Sequence, residues 1–305
     1  MAVARAKRPA FFYGGQAVVE GVLMRGKRHY AVAARKRDGR IVVIHEPLRS
    51  RVYTSRVWAQ PFLRGIAGLV EMIHLGMRAL TWSANIQMEE AEVQLSPAAM
   101  RTTMAISAVL GLFLFVGLPL LAASALHRGS QSGAFTAIEG AARAVVLIGY
   151  LFLIGMVPSV RRLFQYHGAE HKTINCFESG DPVDVEHIRA ASRLHPRCGT
   201  GFLVVVALVS IIVFAPLGNL PWVVLVASRV LLIPVVAAIA YEGIRLLARI
   251  RDTAPGRIAL VPVLATQRLT TREPDDSQIE VAIAAFTAAR SEETGEPFSP
   301  LPLAS

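Results

Sequence analysis

The stretch Met104-Ala-Ile-Ser-Ala-Val-Leu-Gly-Leu-Phe-Leu-Phe-Val-Gly-Leu-Pro-Leu-Leu-Ala-Ala-Ser-Ala-Leu126 contains no charged residue. A helix needs about 20 apolar residues to cross a bilayer's hydrocarbon layer, and this run is long enough. Three further stretches read the same way. Residues 141–160 are interrupted only by Arg143, residues 199–218 are uncharged, and residues 220–247 carry only Arg229, Glu242 and Arg245. Internal glycines and prolines (Gly111, Pro119, Gly155, Pro216, Pro234) are tolerated by membrane helices. A core helix of a soluble protein usually keeps a polar face, which these stretches lack. The reading is therefore an α-helical integral membrane protein with four transmembrane helices.

Lysine and arginine set the orientation. They are dense before the first span (Arg25, Lys27, Arg28, Arg35, Lys36, Arg37, Arg40). They are dense again between the second and third spans (Arg161, Arg162, Lys172, Arg189, Arg193, Arg197) and after the fourth (Arg249, Arg251, Arg257). The first-to-second connection has only Arg128, with Arg143 just inside the next span, and the turn Pro216–Pro221 has none. The positive-inside rule places both termini and the middle loop in the cytoplasm. The chain is 53% hydrophobic, yet its formal charge is +10. That charge points to anionic lipid head groups as partners. No nucleic-acid-binding motif accompanies it, so nucleic acid is not expected. Residues 11–15 are too short for the apolar segment of a cleavable signal peptide. Cys176 and Cys198 both fall on the reducing side, where a structural disulfide is disfavoured.

Residues 1–103 form an N-terminal cytoplasmic region. Ala17–Met24 is mostly apolar, and Tyr30–Ala34 and Arg40–Ile44 flank Asp38-Gly39, a strong hairpin signal. The region is thus expected to be small and β-rich. Residues 62–86 read as one amphipathic helix, lying in the membrane interface or packed on the hairpin, with Trp82 suited to the interface. Residues 248–305 read as a cytoplasmic tail. It holds one helix, 277–290, that opens on the capping-box pattern Ser277-Gln-Ile-Glu280, and it becomes disordered beyond Ser291.

The chemistry concentrates in residues 161–198. Tyr166-His-Gly-Ala-Glu-His-Lys172 contains H-x-x-E-H. On a helix, positions i and i+4 share a face, so His167 and His171 can hold one metal ion. Glu170 lies beside that face and can act as general base toward a metal-bound water, as in the inverted zinc-peptidase motif. His195-Pro-Arg-Cys198 offers two more ligands at i and i+3, next to the same membrane surface. All four together would make a closed, structural site; three would leave an open position for catalysis. Divalent zinc is the expected ion. Glu178 shares the stripe of His167 and His171, but lies about 10 Å along the axis from His171. The alternative reading has these histidines meeting lipid phosphates, Glu170 pairing with a cation and Cys198 packing as a plain thiol. Glu20 and Arg25 are further polar candidates, and Glu242 reads as the partner of Arg245 or Arg161.

Four motifs carry a resemblance. They are Gly14-Gly-Gln-Ala-Val-Val-Glu-Gly-Val-Leu-Met-Arg-Gly26, Tyr166–Glu178, His195-Pro-Arg-Cys-Gly-Thr200 and Gln267–Asp276. In this order they resemble the YqhQ-like family of bacterial membrane proteins, for which a metal-dependent enzyme has been inferred. The resemblance implies His167, Glu170, His171, Glu178, His195 and Cys198 as the family's polar positions, and the cell (inner) membrane as location. Two functions follow as expectations. One is a metal-dependent hydrolase facing the cytoplasm near the head groups. The other is a non-catalytic scaffold or assembly factor that binds a membrane protein partner or a second copy of itself, any metal being structural. A transporter would need polar residues at mid-membrane depth, and only Arg229 lies deep within a span on this reading.

Overall fold

The computed structural model describes residues 13–48, 55–88, 97–127, 133–217, 220–251 and 253–294. Arg128 and the tail beyond Thr294 lie outside these residues, as does most of the segment preceding the first strand.

Strands β1 (Gly14–Val18), β2 (Gly21–Arg25), β3 (His29–Arg35) and β4 (Ile41–Pro47) form an antiparallel meander in the order β1-β2-β3-β4. Gly39 in the β3–β4 connection has φ 88°, the left-handed conformation that the Asp38-Gly39 pair predicts. Strand side chains alternate between faces. Val22, Met24, Ala31 and Ala33 point to one layer of helices, and Leu23, Tyr30 and Val32 to another.

Helix α1 (Leu63–Met88) covers the second face, with Leu75 and Ala79 in its core. The sequence left the interface and the hairpin as alternatives, and α1 does pack on the sheet. Trp82 packs there too. The helix still leaves Val70 and Ile73 exposed, 62% and 57%. Near its start Gly65 lies against the Tyr241 ring, and Arg64 pairs with Glu242 at 2.5 Å. The partner of Glu242 is therefore Arg64, not Arg245 or Arg161.

The first apolar run is α2 (Pro97–Leu112), a π turn (Phe113–Gly117) and α3 (Leu118–Leu126) in one line. The second is α4 (Gly133–Ile154), which starts earlier than its sequence boundary and stops before Pro158. The residue before a proline avoids helical backbone, and Val157 is extended at ψ 125°. The H-x-x-E-H motif therefore sits on a separate helix, α5 (Pro158–Ser179), not on an extension of the second span. A short α6 (Val185–Ala190) follows, and then α7 (Gly199–Phe214). The fourth run is two helices, α8 (Trp222–Leu231) and α9 (Ile233–Ile250), bent by 46° ahead of Pro234. Three helices are each long and apolar enough to cross a membrane, and four if the bent pair counts as one.

The tail is more structured than the sequence suggested. Helix α10 (Ala254–Thr270) precedes α11 (Asp276–Thr294). The cap of α11 is also shifted. Asp275 Oδ1 accepts from the Gln278 N–H at 2.9 Å, and Gln278 Oε1 accepts from the Asp275 N–H at 3.0 Å. This is the reciprocal capping geometry, but on Asp275/Gln278 instead of Ser277/Glu280. Glu280 pairs with Arg35 of β3. Val281, Ala285 and Phe286 close the first face of the sheet together with Tyr166 and Ala169 of α5.

Candidate metal centre

Helix α5 presents His167 and His171 on one side, with ring centroids 4.4 Å apart. His167 Nδ1 is 2.8 Å from the Thr270 carbonyl, and His171 Nδ1 is 2.6 Å from the Arg193 carbonyl. A carbonyl oxygen only accepts, so each Nδ1 carries the hydrogen and donates it. In the neutral rings each Nε2 then keeps a free lone pair, the state in which imidazole binds metal.

Those lone pairs face Cys198. Its sulfur lies 3.3 Å from His167 Nε2, 3.1 Å from Thr200 Oγ1 and 3.4 Å from the Thr200 backbone N–H that it accepts. Cys198 is the N-cap of α7, so the start of that helix fixes the sulfur. Ligand atoms of His167, His171 and Cys198 all fall within 4.8 Å of one another. His, His and Cys within that spread suit a tetrahedral ion with its fourth position open.

Glu170 completes the cluster from the side. Its Oε2 is 3.8 Å from both His167 Nε2 and His171 Nε2. The side chain is buried beneath β1: a Cβ on Gly15 would come within 2.7 Å of Glu170 Cγ. Burial pushes its carboxyl up to about 7, with the His167 charge pulling the other way.

His195, the fourth residue the sequence offered, stands apart. Its ring centroid is 5.6 Å from that of His171. Arg197 Nη2 lies 3.2 Å from His195 Nε2. A guanidinium has no lone pair to offer, so Arg197 donates and occupies the His195 lone pair. Glu178 pairs with Arg197 and lies 3.9 Å from the same ring nitrogen, outside the three-residue cluster. Burial also lowers the His195 pKa, keeping the ring neutral. Of the remaining polar candidates, Glu20 pairs with Arg162 of α5 and Arg25 with Glu71 of α1.

The supporting side chains come largely from the end of α10. Gln267 accepts from the His195 N–H with Oε1 and donates with Nε2 to the His195 carbonyl, both at 2.8 Å. Thr270 supplies the carbonyl that orients His167, and its hydroxyl meets Thr200 at 3.3 Å. The buried Lys172 is held by the Arg189 carbonyl and Glu273, both at 2.9 Å. The motif Gln267–Asp276 thus has a supporting task that spacing alone does not reveal. Its only local signal was a run of hydrogen-bonding side chains after an apolar stretch.

With this geometry in hand, comparisons with known proteins give two findings. A family model described as "Protein of unknown function (DUF1385)" matches residues 60–292. An uncharacterized protein, YqhQ of Bacillus subtilis (strain 168), is 38% identical over 289 residues, 90% of this chain and 91% of that protein. No solved structure matches the chain.

Proposed function

The chain belongs to the DUF1385 family, and from that premise we propose that it is a multi-pass protein of the cell (inner) membrane with a zinc-dependent, hydrolytic site at the cytoplasmic surface. In this reading His167, His171 and Cys198 hold the ion, and Glu170 is the general base. Zinc would supply a Lewis acid and an acidified water.

The observation that carries the reading is the paired orientation of the histidines. Two backbone carbonyls on different segments take the Nδ1 hydrogens and turn both Nε2 lone pairs to one point beside a cysteine sulfur. Histidines meeting lipid phosphates would turn their outward nitrogens to the surface, whereas His171 is 2% exposed. The membrane part rests on long helices whose outward faces are apolar, with Ile212 73% and Val223 78% exposed. Lipid is the environment that satisfies such a surface.

The test is elemental analysis of the detergent-purified full chain. Near-stoichiometric zinc is expected in wild type and none in His167→Ala/His171→Ala. Absence of metal from wild type after reconstitution sinks the reading. Glu170→Gln is expected to keep the metal and abolish hydrolysis of ester, amide and phosphoester probes.

One observation favours a second reading, a structural zinc in a scaffold. Glu170, His171 and Cys198 are all buried, at the junction of α5, α7 and α10. On that reading Glu170→Gln leaves function intact, while loss of the metal lowers the thermal midpoint.

A further inference from the structure

A second polar cluster lies well away from the metal centre and is built from all four candidate spans. Glu139 and Arg143 sit on one face of the 22-residue α4, with Arg143 at its midpoint. Arg143 Nη2 donates to Glu139 Oε1 at 2.6 Å, and its Nη1 donates to Ser210 of α7 at 2.6 Å. Arg143 Nε donates to the Phe115 carbonyl at 3.2 Å, inside the π turn that interrupts the first run. Arg229, in the last turn of α8 beside the break, donates to Glu139 through Nε at 3.2 Å and Nη2 at 2.8 Å. Both guanidiniums lie over the Phe214 ring, 5.3 and 4.5 Å from its centroid. Arg229 is fully buried and Glu139 almost so.

The charges do not balance. Two arginines face one carboxylate, and no other charged side chain pairs with either among the described residues. Glu139 already accepts from both, so it has no further charge to give. A lysine in this place could lose its proton, but a guanidinium does not. One positive charge therefore remains in the middle of an apolar bundle, where an uncompensated ion is strongly disfavoured. The Phe214 ring offsets part of it. A polar group without a partner accompanies the surplus. Thr136, one turn before Glu139 on the same face of α4, is 3% exposed, and its hydroxyl has no hydrogen-bond partner among the described residues. A π turn and a broken helix at one depth are the irregularities by which membrane bundles build ligand sites.

We infer that Arg143 and Arg229, held together by Glu139, form a mid-membrane binding site for one small monovalent anion. Glu139 positions the two guanidiniums, and the anion supplies the missing charge. Thr136 offers a hydroxyl hydrogen to it, whereas Ser210 gives its own hydrogen to the Ala207 carbonyl and only accepts from Arg143. The inference does not depend on the metal centre.

The experiment measures thermal unfolding of the full chain in nonionic detergent at constant ionic strength. Sodium formate, sodium chloride and sodium dihydrogen phosphate are each titrated in place of sodium gluconate, whose anion is too bulky for a buried site. The wild-type midpoint is expected to rise with the logarithm of the small-anion concentration, as for a ligand that binds only the folded state. Arg143→Gln leaves the neutral Glu139–Arg229 pair and is expected to lose the difference between small anions and gluconate. Glu139→Gln adds to the surplus and is expected to respond at anion concentrations at least tenfold lower, on the order of one charge interaction in a low-dielectric site. General salt effects act on all three proteins alike. A wild-type midpoint that is equal in all four salts overturns the site. So does an Arg143→Gln protein that follows the anion series as wild type does. If Arg143→Gln does not fold, the wild-type series and Glu139→Gln decide on the same terms.

Discussion

Gly168 stands between the two histidines, where helix propensity alone argues for replacing it. Alanine in place of glycine stabilises a helix interior by about 1 kcal/mol. At this position, however, a Cβ would lie 2.0 Å from the Arg272 carbonyl oxygen. That atom belongs to the backbone following α10, where the Arg272 N–H donates to the Phe164 carbonyl at 2.9 Å. It cannot move without pulling on Thr270, which orients His167. Overpacking of this kind costs about 1–3 kcal/mol, so it outweighs the propensity gain. Gly168→Ala is therefore expected to lower the thermal midpoint and the zinc content together. A variant more stable than wild type with full zinc would show that the close approach does not shape the site. Helix propensity alone makes Gly168 a weakness of α5; its purpose depends on a segment about a hundred residues away.

At the scale of elements, α10 is the piece that was illegible. Pro262 lies inside it and removes one helical N–H, and a proline in a pattern normally marks a helix end. Residues 248–276 therefore read as tail. The apolar runs were legible because a candidate span is defined by length and composition alone. Their breaks at Val157 and Leu232 were less so, because proline permits a kink as well as a stop. Glu139 was missed as a mid-span residue because the second run was opened after it, at residue 141. His195 could not be separated from Cys198 by spacing, since the ring's direction depends on Arg197 and Gln267. The last residue gives the test of α10. Gln267 is fully buried and makes two hydrogen bonds to the backbone of His195. Gln267→Ala leaves the buried His195 N–H unpaired and its carbonyl with only the Cys198 N–H at 3.3 Å, at a cost of about 1–3 kcal/mol. It also loosens the loop that delivers Cys198, so zinc affinity is expected to fall about tenfold, the lower end for supporting groups. Competition with a chromophoric chelator measures it. Unchanged affinity would mean that α7 alone places the sulfur.

The whole molecule constrains its own membrane topology. Helix α11 packs on β2 and β3 through Val281, Ala285 and Phe286, and Arg35 of β3 donates to the Ser277 carbonyl at 2.7 Å. Helix α5 packs on the same sheet through Tyr166 and Ala169. The sheet, α5 and α11 must therefore share one side of any bilayer the chain crosses. Between the sheet and α5 lie two candidate spans, Arg101–Leu126 and Gly133–Ile154, an even number. Between α5 and α11 lie Gly199–Leu217 and the bent pair α8–α9. In the proposed membrane reading an even number is required here too, and the bent pair meets it by crossing as one span instead of turning back. Apolar length indicates four spans and arginine counting puts both ends on one side, and packing leads to the same parity without using charge. The prediction is direct. Cysteines introduced at Leu126 and at Trp222 are expected to react with a membrane-impermeant maleimide in intact cells, while cysteines at Asp38 and Ser179 react only after lysis. If the Trp222 position is labelled only after lysis, α8–α9 does not cross. The fold that joins the first strands to the last helix then cannot form in the membrane as described.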